Sequence, residues 1–256
     1  MRSVLVVCAG FVLAALIWAV YTPLSRHALV HSLADPRFDP NETAAQLISA
    51  GRSAHAALLS GLDSSSPQVR LHCARILSLG GDRRGDAALM TLLRQHGREE
   101  STLAAQAETY LLNAWVQRDG PPAPVRHKLL RDDAFKTDAD RLLALNDTLV
   151  RYPGWASGYI QRAIVYQRTG SIVEARLDLL RALDLEPLQF EAMLVLGSCS
   201  LLLNASDQAY ASYEQAVRLN PRLRVQYRNE IREVLKAIEI ERARRRREKR
   251  REMPVA

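Results

Sequence analysis

Apolar side chains recur every three or four positions over most of the chain, and no stretch sustains the alternation of a half-buried strand. Ala, Leu and Arg dominate, residues that lose little freedom in a helix, so helices are predicted throughout. Pro153, Pro187 and Pro221 stand 34 residues apart, each after an amphipathic run and before the next. Aligning 158–187 on 192–221 places Ala163 on Gly197, Ala175 on Ala209, Leu179 on Tyr213 and Ala182 on Ala216. The small residues allow two helices of a hairpin to approach closely, while Tyr166, Leu179 and Tyr213 fill the space between hairpins. Gly170 ends one first helix and Asn204 takes the aligned place; both residue types tolerate the left-handed backbone of a helix C-terminus.

At these residues the sequence resembles the tetratricopeptide repeat family, with repeats at 156–189 and 190–223. A unit at 122–155 keeps Leu145 and Pro153 but carries Arg141 and Thr148 where the family has alanines, and is read as degenerate. Tyr227, Ile231, Val234 and Ile238 then follow at helical spacing, which predicts a capping helix over 224–240. Upstream, 58–95 resembles a HEAT-type repeat. Ser65 or Ser66 can cap a helix that opens at Pro67, and Gly80 and Gly81 end it before a second amphipathic run. A weaker copy at 100–115 and a helix near 42–50 extend the HEAT-like segment to 41–118, and the Pro/Gly break at 119–124 cannot continue a helix. The expected fold class is all-α, a helical-hairpin repeat solenoid in which a HEAT-like stack precedes the tetratricopeptide repeats.

Ahead of this body, Arg2 and Arg26 bracket 23 uncharged residues, enough as a helix to reach about 34 Å and cross a hydrocarbon core of about 30 Å. Trp18 and Tyr21 near its end suit a membrane interface, and Ala19-Val20-Tyr21 fails as a signal-peptidase site. Val7 before Cys8 does not fit a lipoprotein box. The expectation is a transmembrane anchor at 3–25 and a single-pass membrane protein. The positive-inside bias puts its body on the non-cytoplasmic side, as in a bacterial envelope protein.

Charge changes the picture only once it is located. The net charge is +7, but residues 241–252 hold eight basic and three acidic side chains, so the body is nearly neutral. The basic tail, 241–256, comprises Arg242, Arg244, Arg245, Arg246, Arg247, Lys249, Arg250 and Arg251. It suits anionic lipid better than nucleic acid, because it has no aromatic side chain for stacking. Cys8, Cys73 and Cys199 do not read as a disulfide framework, and no cysteine or histidine pairing marks a structural zinc site.

Candidate chemistry is sparse. His27 and His31 share an i, i+4 spacing without the glutamate of a zinc protease, and His72 beside Cys73 lies on a predicted core helix. Asp132, Asp133, Asp138 and Asp140 read as caps and solvated acids. Asn41, Asn146 and Asn204 begin Asn-x-Ser/Thr triplets, which helix-end roles explain as well as glycosylation does. No phosphate loop, nucleophile elbow or dinucleotide fingerprint is present, and no metal or cofactor is implied.

The tetratricopeptide resemblance implies protein binding on a concave face. The residues at the family's concave positions are Ser157, Ile160, Ile164, Gln167 and Arg168, then Glu191, Leu194, Ser198, Leu201 and Leu202. That surface is mainly apolar, and Ile160, Gln161, Leu194 and Val195 stand where chaperone adaptors carry a carboxylate-clamping Lys/Asn set. A protein or peptide with an apolar segment is therefore the expected partner, and a non-catalytic scaffold or assembly factor the expected function. The competing arrangement covers Leu194, Leu201 and Leu202 with the chain's own C-terminal helix. The alternative from another class is a lyase- or hydroxylase-like enzyme on helical repeats, which requires His72, His127 and the acids at 132–140 to converge.

Overall fold

The computed structural model describes residues 26–35, 37–98, 101–229, 231–233, 235–236, 238–240 and 243–244, and among these there is no strand. Residues 26–32 are helical. After them come α1 (Pro40–Ser49), α2 (Arg52–Gly61), α3 (Pro67–Leu79), α4 (Arg83–His96), α5 (Thr102–Gln117), α6 (Ala123–Leu130), α7 (Asp138–Arg151), α8 (Ala156–Arg168), α9 (Ile172–Leu185), α10 (Phe190–Leu202) and α11 (Ser206–Leu219). A single turn, α12 (Leu223–Gln226), leads into helical backbone at the described positions of 228–240.

Local chemistry sets many of these boundaries. The side chains of Asp39, Ser66, Ser101 and Thr137 each accept a hydrogen bond from an amide in the first turn that would otherwise have no partner. Pro40 and Pro67 occupy first-turn positions where the missing N–H costs nothing. Helices α7, α9 and α11 end at Arg151, Leu185 and Leu219, each two residues before one of the spaced prolines. Gly170 and Asn204 adopt φ values of 84° and 57°, so the left-handed turn after α8 recurs after α10.

The helices group into two compact units, one of residues up to Leu92 with Ala105–Leu111, the other of Leu93–Ala104 with residues from Leu112 onward. In the first unit, Val30 and Leu33 join α1, α2 and α3 around Leu47, Leu58, Cys73 and Leu77. In the second, α8, α9 and α10 share a core of Ala156, Ile160, Ala163, Ala175, Leu179, Ala182, Ala192 and Cys199. Leu129, Leu145, Leu149, Trp155 and Val165 form its neighbouring cluster.

One correction concerns the membrane. The longest described helix, α5, has 16 residues and reaches only about 24 Å, and the second-unit helices are spent on lateral packing. Among the described residues no helix is long and apolar enough to cross a membrane. The segment 3–25, on which the anchor expectation rested, lies outside the described residues. The single-pass localisation, with its non-cytoplasmic body, is therefore withdrawn.

The two α-hairpins of the second unit divide volume differently. In α8/α9 the corresponding pair is Ala163 and Leu179, both fully buried in one core. In α10/α11 it is Gly197 and Tyr213, and a Cβ on Gly197 would lie 2.7 Å from the tyrosine ring. The larger ring thus demands the smaller partner. Gly197→Ala is expected to lose about 1–3 kcal/mol by overpacking, although alanine ordinarily favours a helix over glycine by up to about 1 kcal/mol. In a Tyr213→Leu background the same change should become stabilising, and urea unfolding of the four proteins in this cycle reads the sign directly.

Candidate functional site

The predicted concave residues are divided by the structure into buried and accessible sets. Ile160 and Leu194 are buried, at 3% and 7% exposure, and Ile164 is half-buried against the α8–α10 core. Ser157 is also buried; its hydroxyl donates to the Trp115 carbonyl at 3.2 Å. The Gln167 side-chain amide donates to the Ser198 hydroxyl at 2.6 Å, which holds the end of α8 beside the middle of α10. Arg168 is exposed and paired with Asp138, while Glu191 is exposed. Leu201 is half-buried, and Leu202 is open at 57% with Leu203 beyond it at 41%. What remains accessible is thus the C-terminal end of the α8/α10 row.

Ile160 is buried by the shared α8–α10 core, whereas Ser157 lies against a strap that the sequence reading missed. In the second unit, the last turns of α5 pack against the turns that precede α8 and α10. Trp155 Nε1 donates to the Val116 carbonyl at 2.9 Å, and the Trp115 ring meets Phe190 edge-on at 5.4 Å. Arg118 pairs with Glu186 at 2.9 Å, with side chains only 10% and 5% exposed. Asp119 (φ 52°) and Pro121-Pro122 then turn the chain into α6. Periodicity could not reveal this, because Trp115 and Arg118 lie outside the 34-residue register.

A second missed feature is a guanidinium that ties three helices. Arg162 donates through Nε and one terminal nitrogen to both oxygens of Asp178 on α9, each at 2.7 Å, and through the other to Asn146 Oδ1 on α7 at 2.7 Å. The Tyr159 and Tyr166 rings lie 5.6 and 5.8 Å from it. Its bond to Asp178 raises the Arg162 pKa above the ordinary guanidinium value. The residues 34 positions on are Leu196 and Ser212, so this polar pair in one repeat replaces an apolar and a small residue in the next. Arg141, 2% exposed, bonds the Leu129 carbonyl at 3.0 Å and Gln161 at 2.8 Å. An arginine where the family has alanine therefore caps the end of α6, only 8 residues long.

The remaining candidates are divided between the two units. His27 and His31 are exposed on the helix at 26–32. His72 is buried in the first unit near Tyr110, and burial first, then Arg75, holds its pKa below the usual imidazole range. His127 is exposed in the second unit. There Asp133 pairs with Arg131, Asp138 with Arg168, and Asp140 with the Thr137 cap. Among the described residues no three His, Cys, Asp or Glu side chains cluster as metal ligands would. Of the basic tail only Arg244 is described, and it is exposed; Arg242, Arg245, Arg246, Arg247, Lys249, Arg250 and Arg251 lie outside the described residues, as do Cys8 and Val234.

Neither family models nor curated proteins yield a match to this chain. Among solved structures, a thermophilic TPR protein of Thermus thermophilus is 24% identical; the match covers 76% of this chain and 96% of that one at a TM-score of 0.37. The TPR2AB-domain:pHSP90 complex of yeast Sti1 is 18% identical, covering 77% and 83% at a TM-score of 0.40. MamA is 15% identical, covering 80% and 98% at 0.32. Superpositions this loose carry no argument of their own, and the paired helices starting at Ala156 and Phe190, 34 residues apart, are what define the architecture. The fold is all-α and TPR-like.

Two outcomes test this reading of the interior. Arg162→Leu alone leaves the Asp178 carboxylate, 9% exposed, without its partner, and is expected to cost on the order of 3 kcal/mol. Adding Asp178→Ser, which installs the pair of the next repeat, should recover most of that loss in urea unfolding. Separately, Cys73 and Cys199 are fully buried, and burial pushes the Cys73 thiol up to about 12 and Cys199 upward. In a Cys8→Ser variant, Ellman's reagent at pH 8 should therefore label neither thiol until urea unfolds the chain.

Proposed function

We propose that the protein is a non-catalytic scaffold or assembly factor that holds a partner protein through an apolar segment. In this reading 41–118 forms HEAT-like repeats, 156–189 and 190–223 are tetratricopeptide repeats behind a degenerate unit at 122–155, and 224–240 caps them. The working surface is the accessible end of the α8/α10 row: Gln167, Arg168, Ser198, Leu201 and Leu202, with Glu191 at its far margin.

The observation that carries the proposal is the exposure of Leu202 and Leu203 on a helix whose other large apolar side chains are buried or half-buried. An apolar tip of this kind, near the Gln167–Ser198 bond and the Arg168 cation, offers an apolar contact with polar orientation at its margin. The buried buttress of Ile160 and Leu194 keeps that tip in place without itself meeting the partner.

The test is photo-crosslinking from the adjacent exposed position 203 in cells expressing the protein, followed by mass spectrometry and comparison with Leu202→Glu and with Val173→Glu, an exposed control on α9. One protein should crosslink specifically and fall by at least about tenfold in Leu202→Glu alone. Equal recovery from all three proteins would reject the α8/α10 tip as the binding surface.

A further inference from the structure

A concave feature lies where α11 meets the chain from 224 to 235. A cavity of about 440 Å³ is lined there by Tyr210, Tyr213, Val217, Val225, Ile231 and Leu235, with Arg224, Arg228 and Glu214 at its margin. Its floor is apolar, and its walls are open to solvent: Tyr210 is 37% exposed, Leu235 42% and Val225 64%. Buried apolar surface would close such a groove if the chain had a further helix to lay across it, and among the described residues none does so.

The charges at the margin are unbalanced. Glu214 is paired with Arg218 at 2.8 Å, whereas Arg224 and Arg228 make no ion pair among the described residues. Arg232 is exposed one turn further on, and the sequence beyond Ile240 adds a net +5 over 241–252. Any occupant therefore approaches a cationic surface before it reaches the apolar floor. A cationic or neutral helix would leave the two guanidinium groups uncompensated, and a second cationic segment of this chain would be repelled.

We propose that this groove receives an acidic amphipathic helix of another protein, its apolar residues seated between Tyr210, Val217, Val225 and Leu235 and its carboxylates paired with Arg224 and Arg228. A groove of this depth fits two or three large side chains at helical spacing, and tyrosine and arginine are the residues enriched where interfaces gain most of their energy. A flat membrane surface does not enter a concavity, and a nucleic acid would find a single open ring, Tyr210, and not a row of stacking platforms, since Tyr213 is only 5% exposed. The surface is separate from the Leu202 tip, so either assignment can fail without the other.

The probe is a fluorescein-labelled synthetic helix of about 18 residues, about 27 Å long, with leucines at i, i+4, i+7 and i+11 and glutamates on both flanks. A matched peptide carries lysine in place of glutamate. Fluorescence anisotropy with the full chain should show binding of the acidic peptide only. Arg224→Glu with Arg228→Glu should weaken it at least about tenfold, and Leu235→Ser by a similar factor, with circular dichroism unchanged. Arg176→Glu with Arg181→Glu, the same charge change on exposed α9 positions, should leave it intact. Equal weakening by both double variants would show unspecific attraction to the basic chain and overturn the proposal. So would retention of binding in Leu235→Ser, which would mean that the floor is not engaged. Tighter binding of a single-stranded oligonucleotide, lost in Arg224→Glu with Arg228→Glu, would reassign the groove to nucleic acid. Concentration-dependent self-association in sedimentation, abolished by the same variants, would reassign it to a second copy; either result overturns the assignment made here.

Discussion

The second unit depends on how closely two helices of a hairpin can approach. Large side chains on both faces of a helix pair hold the axes further apart, so a small residue on one side of a contact is what lets two helices close in. Ala163 and Ala175 meet this demand in one hairpin, Gly197 and Ala209 in the next, and all are buried. The recurrence of that requirement every 34 residues imposes the positions of the turns, because Gly170 and Asn204 must reverse the chain before the next small residue comes into place. The Gly197/Tyr213 contact shows that the constraint is on summed volume and not on residue identity.

Close approach leaves no room for an unbalanced charge, yet the unit contains Arg141, Arg162 and Arg118 at buried or nearly buried positions. Each is admitted by a specific set of acceptors: the Leu129 carbonyl and Gln161, the Asp178 carboxylate with Asn146, and Glu186. These bonds cross between elements that hydrophobic packing alone would let slide. They add register where the apolar contacts, being non-directional, add only cohesion. The strap of Trp115 and Arg118 does the same for the turns before α8 and α10. It also meets Ser157, at the near end of the predicted concave row.

Much of this was legible in the amino-acid order. The helices, the cap at Ser66, the breaks before Pro153, Pro187 and Pro221 and the left-handed Asn204 all follow from interactions spanning a few residues, which a linear reading contains. The correspondence of Ala163 with Gly197 and of Leu179 with Tyr213 was equally readable, because repetition supplies the alignment that a single chain otherwise lacks, but Tyr213, expected between hairpins, meets Gly197 inside its own. The membrane-anchor expectation shows the other side of the same method. It drew on the hydropathy of 3–25, its interfacial aromatics and the lack of a cleavage site, and none of the described helices combines the length and apolar character needed to cross a bilayer.

What the sequence by itself determined is the all-α class, the repeat period and the small-residue seam, since each is encoded by local propensity and spacing. Tertiary structure alone decided which concave positions remain open. Ile160 and Leu194 have the same composition signal as Leu202, but two are buried and one is exposed. It likewise decided that Arg162 reaches Asp178 and Asn146, and that Trp115 meets Ser157 at one end of the row. The physical reason is that burial and ion pairing depend on which distant segments arrive at a surface. A period records what each repeat does to its neighbour, and nothing about a partner that stands outside the period.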